Sequence, residues 1–128
     1  MGPSAWPTAT DLLCQHKTRT VRVSGSVDIW LLQAKTPGSW VVVPTNGIIR
    51  ADGLAVMGGG HASLAEQAKQ RYPGLPKALA LHLEAHGNYL GVFIEHGKII
   101  TFPTKHHWRD PARLDLIERA AYDLLKEL

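Results

Sequence analysis

Residues Trp40 to Gly60 read WVVVPTNGIIRADGLAVMGGG. The stretch opens on Trp40, Val41, Val42 and Val43, apolar and mostly β-branched without alternation, which predicts a strand covered on both faces. Pro44-Thr45-Asn46-Gly47 is turn chemistry and predicts the end of that strand. A polar excursion through Arg50 and Asp52 follows, and then Met57-Gly58-Gly59-Gly60 leads into a helical pattern. Strand, glycine-rich turn and helix start, in that order, suit an anion: glycines admit close backbone approach and the first helical N–H groups point outward at the ligand. The plainer alternative is a tight connection that needs positive φ. The stretch is not a P-loop, because no Gly-Lys-Ser/Thr follows, and it is not GxGxxG, because Ser63 stands where the third glycine belongs.

Before this stretch, Pro3 and Pro7 argue against regular structure, and residues 1–19 read as an arm or short leading helix capped by Thr10. Thr20 to Ser24 alternates and predicts a strand, with Gly25 as a bulge or its end. Asp28 follows that strand; it suits either a hydrogen bond to an adenine amino group or ribose, or a turn or cap role. Leu31 to Ala34 predicts a short helical turn, and Lys35-Thr36-Pro37-Gly38-Ser39 a chain reversal.

After the glycines, Ala62, Ala65, Ala68 and Tyr72 predict a helix over 60–72, stopped by Pro73-Gly74. Pro76 opens a second helix with Leu79, Leu83 and His86 on its inner stripe, and Gly87-Asn88 ends it. Tyr89–Glu95 and Lys98–Phe102 read as strands of a hairpin. Pro103 marks the end of pairing. Asp110 with Pro111 predicts the cap of a last helix, whose stripe is Leu114, Ile117, Ala121, Leu124, Leu125 and Leu128. Strands interleaved with helices predict a layered α/β domain over 20–128.

With 128 residues, 45% hydrophobic and 20% charged, the chain suits one globular domain. A formal charge of +3 tolerates an anionic ligand without demanding nucleic acid. One cysteine, Cys14, excludes an internal disulfide and suits a reducing compartment. No apolar run is long enough for a membrane span and no secretory pattern is visible, so a cytoplasmic protein with no membrane partner is expected. His82 and His86 lie one helical turn apart, but no cysteine or acidic cluster completes a metal site, so neither metal nor cofactor is expected. Thr101 to Arg109, TFPTKHHWR, places Lys105 just past a predicted strand end, where ligands of α/β sheets gather. That lysine suits a phosphate partner, a nucleophile toward a sugar carbon, or an ordinary solvated loop residue. Lys105 to Arg109 also forms a basic patch with an aromatic, which would suit nucleic acid.

Three segments together resemble a known family: VPTNG (43–47), VMGGGHA (56–62) with QRYPG (70–74), and TFPTKHHWR (101–109). They are similar to macrodomains, and more closely to the bacterial branch that includes antitoxin-type macrodomains removing ADP-ribose from DNA. The resemblance implies a three-layer α/β/α fold with a mixed sheet that binds ADP-ribose or ADP-ribosylated DNA or protein. It implies that Asp28, with Ile29, meets the adenine and that Asn46 lies near the distal ribose. Val56, Met57, Gly58, Gly59, Gly60, His61 and Ala62 would surround the diphosphate, with Pro103 and Thr104 beside the ligand. It also implies that Lys105 attacks the anomeric carbon, hydrolysing the ADP-ribosyl linkage. Such chemistry needs a partly neutral lysine, favoured by burial or a nearby cation.

Two departures stand out. Val27 replaces the glycine usual before the acidic residue, and the sequence reaches Leu128 without the family's second glycine-rich loop, its strand, closing helix and catalytic acid, so a C-terminally shortened macrodomain-like fold is expected. An uncovered sheet edge would then invite a homodimer. The alternative function is a non-catalytic interaction module of phage or mobile-element origin.

Overall fold

A computed structural model describes residues 28–58 and 63–127. The expected strand at 20–24 and the N-terminal arm lie outside these residues. Helix α1 (Ile29–Lys35) is longer than the expected turn, because Asp28 caps it by accepting from the Trp30 and Leu31 amides. A turn with Gly38 at φ 78° leads to strand β1 (Val41–Thr45). Helices α2 (Leu64–Arg71) and α3 (Leu75–His86) follow, then β2 (Gly91–Phe93), β3 (Ile99–Pro103) and α4 (Leu114–Glu127).

The sheet order is β1-β3-β2, with β1 parallel and β2 antiparallel to β3. The hairpin is therefore present, though β2 is shorter than Tyr89–Glu95 and its turn closes with Gly97 at φ 81° and Lys98 at φ 57°. On one face, Val41, Val43 and Ile99 pack with Trp30 of α1, Ala65 and Ala68 of α2, and Leu75, Leu79 and Leu83 of α3. The other face of β3 carries Ile100 beneath α4, which buries Ala120 and Leu125. This is the expected α/β/α layering around a mixed sheet. Each of the fully buried aliphatic side chains, such as Leu75, Leu79 and Ile99, contributes about 1.5–3 kcal/mol.

Several expectations need correction. The strand does not stop at Pro44. Val41 N–H donates to the Lys98 carbonyl and Thr104 N–H to the Thr45 carbonyl, so residues 41, 43 and 45 face β3 while Pro44 faces away and removes no rung. Nor is β1 covered on both faces: Val42 is half-buried and Pro44 exposed, because α4 lies over β3. Helix α2 begins at Leu64, where Ser63 accepts from the Glu66 amide as its cap. In α3, His86 is exposed, and Ala80 joins Leu79 and Leu83 on the inner side.

Asp110 does not cap α4. Its N–H closes a turn on the His107 carbonyl, and Arg113 N–H is held by the Thr104 carbonyl, which keeps the chain non-helical up to Leu114. Leu114 is 69% exposed and so leaves the apolar stripe. Leu128 lies outside the described residues. No described helix is long and apolar enough to cross a membrane.

Candidate functional site

Because β1 and β3 are parallel, their carboxyl ends meet, with Thr45 beside Pro103. The start of α2 arrives over the same edge. Between them lies a cleft of about 440 Å³, lined by Pro44, Thr45, Asn46, Val56, Gly58, Ser63, Leu64, Ala65, Thr104, Lys105 and Trp108. Asn46, Val56, Gly58, Thr104 and Lys105, far apart in sequence, are thus brought together.

The remaining candidates fall elsewhere. Pro103 is buried in β3, and Met57, 4% exposed, belongs to the core. Asp28 and Ile29 line a separate groove with Trp30, Gln67, Gln70 and Arg71; Leu64 borders both this groove and the cleft. Asp28 uses Oδ1 for both cap bonds, so its Oδ2 has no partner among the described residues. Gly59, Gly60, His61 and Ala62 lie outside the described residues.

On the strand side, hydrogen bonds fix the backbone. Asn46 Nδ2 donates to the Val56 carbonyl at 3.3 Å and its Oδ1 accepts from the Ile48 amide at 3.0 Å. The side chain therefore pins the start of the loop to its return, an Asx arrangement. Thr104 N–H donates to the Thr45 carbonyl, Asn88 Nδ2 to the Lys105 carbonyl, and Gly47 N–H to the His106 carbonyl. Three consecutive residues are held in this way, with Lys105 in the middle. The Lys105 side chain is half-buried and makes no ion pair among the described residues.

On the helix side, Gly58 has φ 104°, and a Cβ there would stand 2.5 Å from the Glu66 carboxylate and 3.3 Å from the Glu66 Cα. Only glycine lets the loop lie this close to α2. The first amides of a helix have no partner within it, and Leu64 and Ala65 of that first turn line the cleft. Glu66 is turned aside, paired with Lys69 at 2.7 Å. No carboxylate lines the cleft among the described residues.

Beyond Val56 and Gly58, Arg50 pairs with Asp52 at 2.8 Å. The Leu54 N–H, and Arg50 after it, hold the Asp52 carboxyl below its ordinary value of 3.8. Arg113 does the same for Asp115. The His82 and His86 rings lie 5.1 Å apart, tilted by 43°, with His82 Nε2 3.0 Å from the Tyr89 carbonyl. No group of three or more metal-ligating side chains occurs among the described residues.

The sequence reading missed Pro44, Thr45, Ser63, Leu64, Ala65 and Trp108 as lining residues, and Asn88 behind them. Trp108 had been assigned only to a basic patch. It is 46% exposed, with the His107 ring stacked at 5.3 Å and the Arg109 guanidinium 4.6 Å from its centre. Its place three residues past Lys105, in the same reversal, was the available signal.

Comparison with solved structures gives two strong likenesses. The macrodomain of Mycobacterium tuberculosis DarG superposes with a TM-score of 0.58 at 29% identity, over 80% of this chain and 64% of that one. The fold is that of a macrodomain. The macrodomain of Thermus aquaticus DarG matches with a TM-score of 0.56 at 28% identity, over 74% of this chain and 62% of that one. These likenesses bear out the resemblance to the bacterial antitoxin-type branch of macrodomains. The chain spans just under two thirds of each DarG macrodomain. No family model matches it, and no curated protein does.

Proposed function

We propose that this macrodomain binds ADP-ribose and removes it from a modified macromolecule, with Lys105 as the nucleophile. The observation that carries the reading is the convergence of Lys105, Asn46, Gly58 and the start of α2 on one cleft. The cleft borders the Asp28 groove at Leu64. An extended ligand fits this plan: adenine against Asp28 and Ile29, diphosphate over Gly58 and the first amides of α2, distal ribose between Asn46 and Lys105.

The chemistry follows from the amine. Neutral Lys105 Nζ attacks the anomeric carbon, and the bond to the substrate group breaks. The proton lost by the new C–N⁺ centre passes through water to the leaving group, since no carboxylate lines the cleft among the described residues. Water then hydrolyses the lysine–ribose adduct, restoring the amine and freeing ADP-ribose. The hydrogen bonds that hold the backbone of residues 104–106 and the Asn46 loop support an oriented attack.

The test has two arms. ADP-ribose should raise the melting temperature, and Gly58→Glu should abolish that rise; no shift at millimolar ADP-ribose would exclude the binding claim. In the second arm, wild type should release ADP-ribose from modified DNA or protein, and Lys105→Ala should remove that release while ADP-ribose still binds. Release that survives the substitution would rule out the lysine as nucleophile.

A further inference from the structure

Asn88 lies between α3 and β2, outside every segment that the sequence singled out for the site, yet it meets the Lys105–His106 loop at two points and Gly47 at a third. Its Nδ2 donates to the Lys105 carbonyl at 3.0 Å and stands 3.1 Å from His106 Nδ1. Gly47, at the end of β1, packs against the same amide: a Cβ on Gly47 would sit 3.0 Å from Asn88 Cγ and 3.1 Å from Nδ2. Gly47 in turn donates its N–H to the His106 carbonyl at 2.9 Å.

The bond to Lys105 decides which way the amide faces. A carbonyl oxygen only accepts, so the atom facing the Lys105 carbonyl must be the NH₂ group. The same NH₂ then meets His106 Nδ1, so that ring nitrogen accepts and the neutral imidazole carries its proton on Nε2. Both amide hydrogens are therefore committed to consecutive residues, one to the Lys105 backbone and one to the His106 side chain.

We propose that Asn88 is a positioning residue for Lys105: it fixes the backbone from which the amine reaches the cleft and sets the His106 tautomer beside it. The inference rests on the reading of Lys105 as the nucleophile. Asp has nearly the shape of Asn but cannot donate from that position. Asn88→Asp therefore places a carboxylate oxygen against the Lys105 carbonyl and invites the proton onto His106 Nδ1. Asn88→Gln keeps the donor but must lengthen the side chain against Gly47.

The experiment compares wild type, Asn88→Asp and Asn88→Gln by three measurements. The first is the ¹⁵N NMR shifts of the His106 ring. Wild type should show Nε2 protonated and Nδ1 bare, and Asn88→Asp should move the proton to Nδ1. The second is the ADP-ribose-induced shift of the Lys105 side-chain resonances, which should be present in wild type and reduced in Asn88→Asp. The third is turnover. Asn88→Asp should lower kcat about tenfold or more with KM changed less than about threefold, and Asn88→Gln should recover part of kcat.

A protonated Nδ1 in wild type would overturn the proposal. So would an Asn88→Asp protein whose His106 tautomer and Lys105 shift match wild type. A wild type that releases no ADP-ribose would refute the hydrolase reading, and the two NMR measurements would then decide the Asn88 proposal alone. A loss of melting temperature without change in either set of resonances would mark Asn88 as purely structural and end the proposal.

Discussion

The two walls of the cleft treat their polar groups in opposite ways. On the strand wall, the backbone around Lys105 is committed: Thr104 N–H, the Lys105 carbonyl and the His106 carbonyl all have partners, and Asn46 ties its own loop together. The Lys105 side chain, half-buried at the cleft, makes no ion pair among the described residues. On the helix wall, Gly58 brings the loop against Glu66, and Leu64 and Ala65 of the first turn of α2 line the cleft. In the proposed function, one wall aims a side chain and the other presents backbone donors. An enzyme acting on a diphosphate sugar needs both, since the anion is best held by preorganised N–H groups and the sugar carbon must meet a nucleophile in one orientation.

The strongest challenge to this division is Lys105→Ala. If the strand wall serves to aim the amine, the substitution should reduce release of ADP-ribose by about a hundredfold or more. Binding measured by calorimetry should change only severalfold. Lys105→Arg should behave alike, because a guanidinium stays protonated and is not a nucleophile.

Gly58→Ala probes the helix wall. A side chain at φ 104° against the Glu66 backbone should destabilise the fold by about 1–3 kcal/mol in denaturant titration. It should also weaken ADP-ribose roughly tenfold, because the loop must retreat from α2. Equal effects of Gly58→Ala and Lys105→Ala on affinity would erase the distinction between the walls.

Thr101 is a buried polar group away from the cleft. Its hydroxyl is fully buried, opposite Gly91, and has no hydrogen-bond partner among the described residues. Nothing at the cleft uses it. Thr101→Val should therefore raise stability by about 1 kcal/mol and leave ADP-ribose affinity unchanged. A loss of stability would mean that the hydroxyl has a partner, such as a buried water.

The smallest expected effect concerns acid. Asp52 and Asp115 have carboxyls held below 3.8 in the folded protein. A depressed folded-state value stabilises the fold above the unfolded value, and that contribution is lost as pH falls through the folded one. Both groups are fully exposed, so solvent screening keeps the effect small. Asp52→Asn should slightly lower the melting temperature at neutral pH and flatten its fall below pH 4, so that the two proteins converge in acid.

Much of this was legible in local pattern. The β-branched run at 41–43, the Pro76 helix start, the Gly87 stop and the hairpin around Gly97 each follow from residues acting on their own backbone. The motif segments also point to the macrodomain fold. The errors have a common cause. Pro44 looked like a strand breaker because sequence does not reveal which edge of the strand carries the ladder. Asp110-Pro111 looked like a cap, but Thr104 holds the Arg113 amide and delays the helix.

Chain-local chemistry therefore settled which elements form and which residue types are available for binding and attack. Their meeting in one place belongs to the tertiary structure. Parallel pairing of β1 with β3 sets Asn46 beside Lys105 across nearly half the chain, and Asn88 enters the site only through the path between α3 and β2. Long-range hydrogen bonds of this kind leave no local signature, because neither partner's preference reveals the other. The sequence held the parts of the cleft; the packing of strands and helices decided which of them face one another.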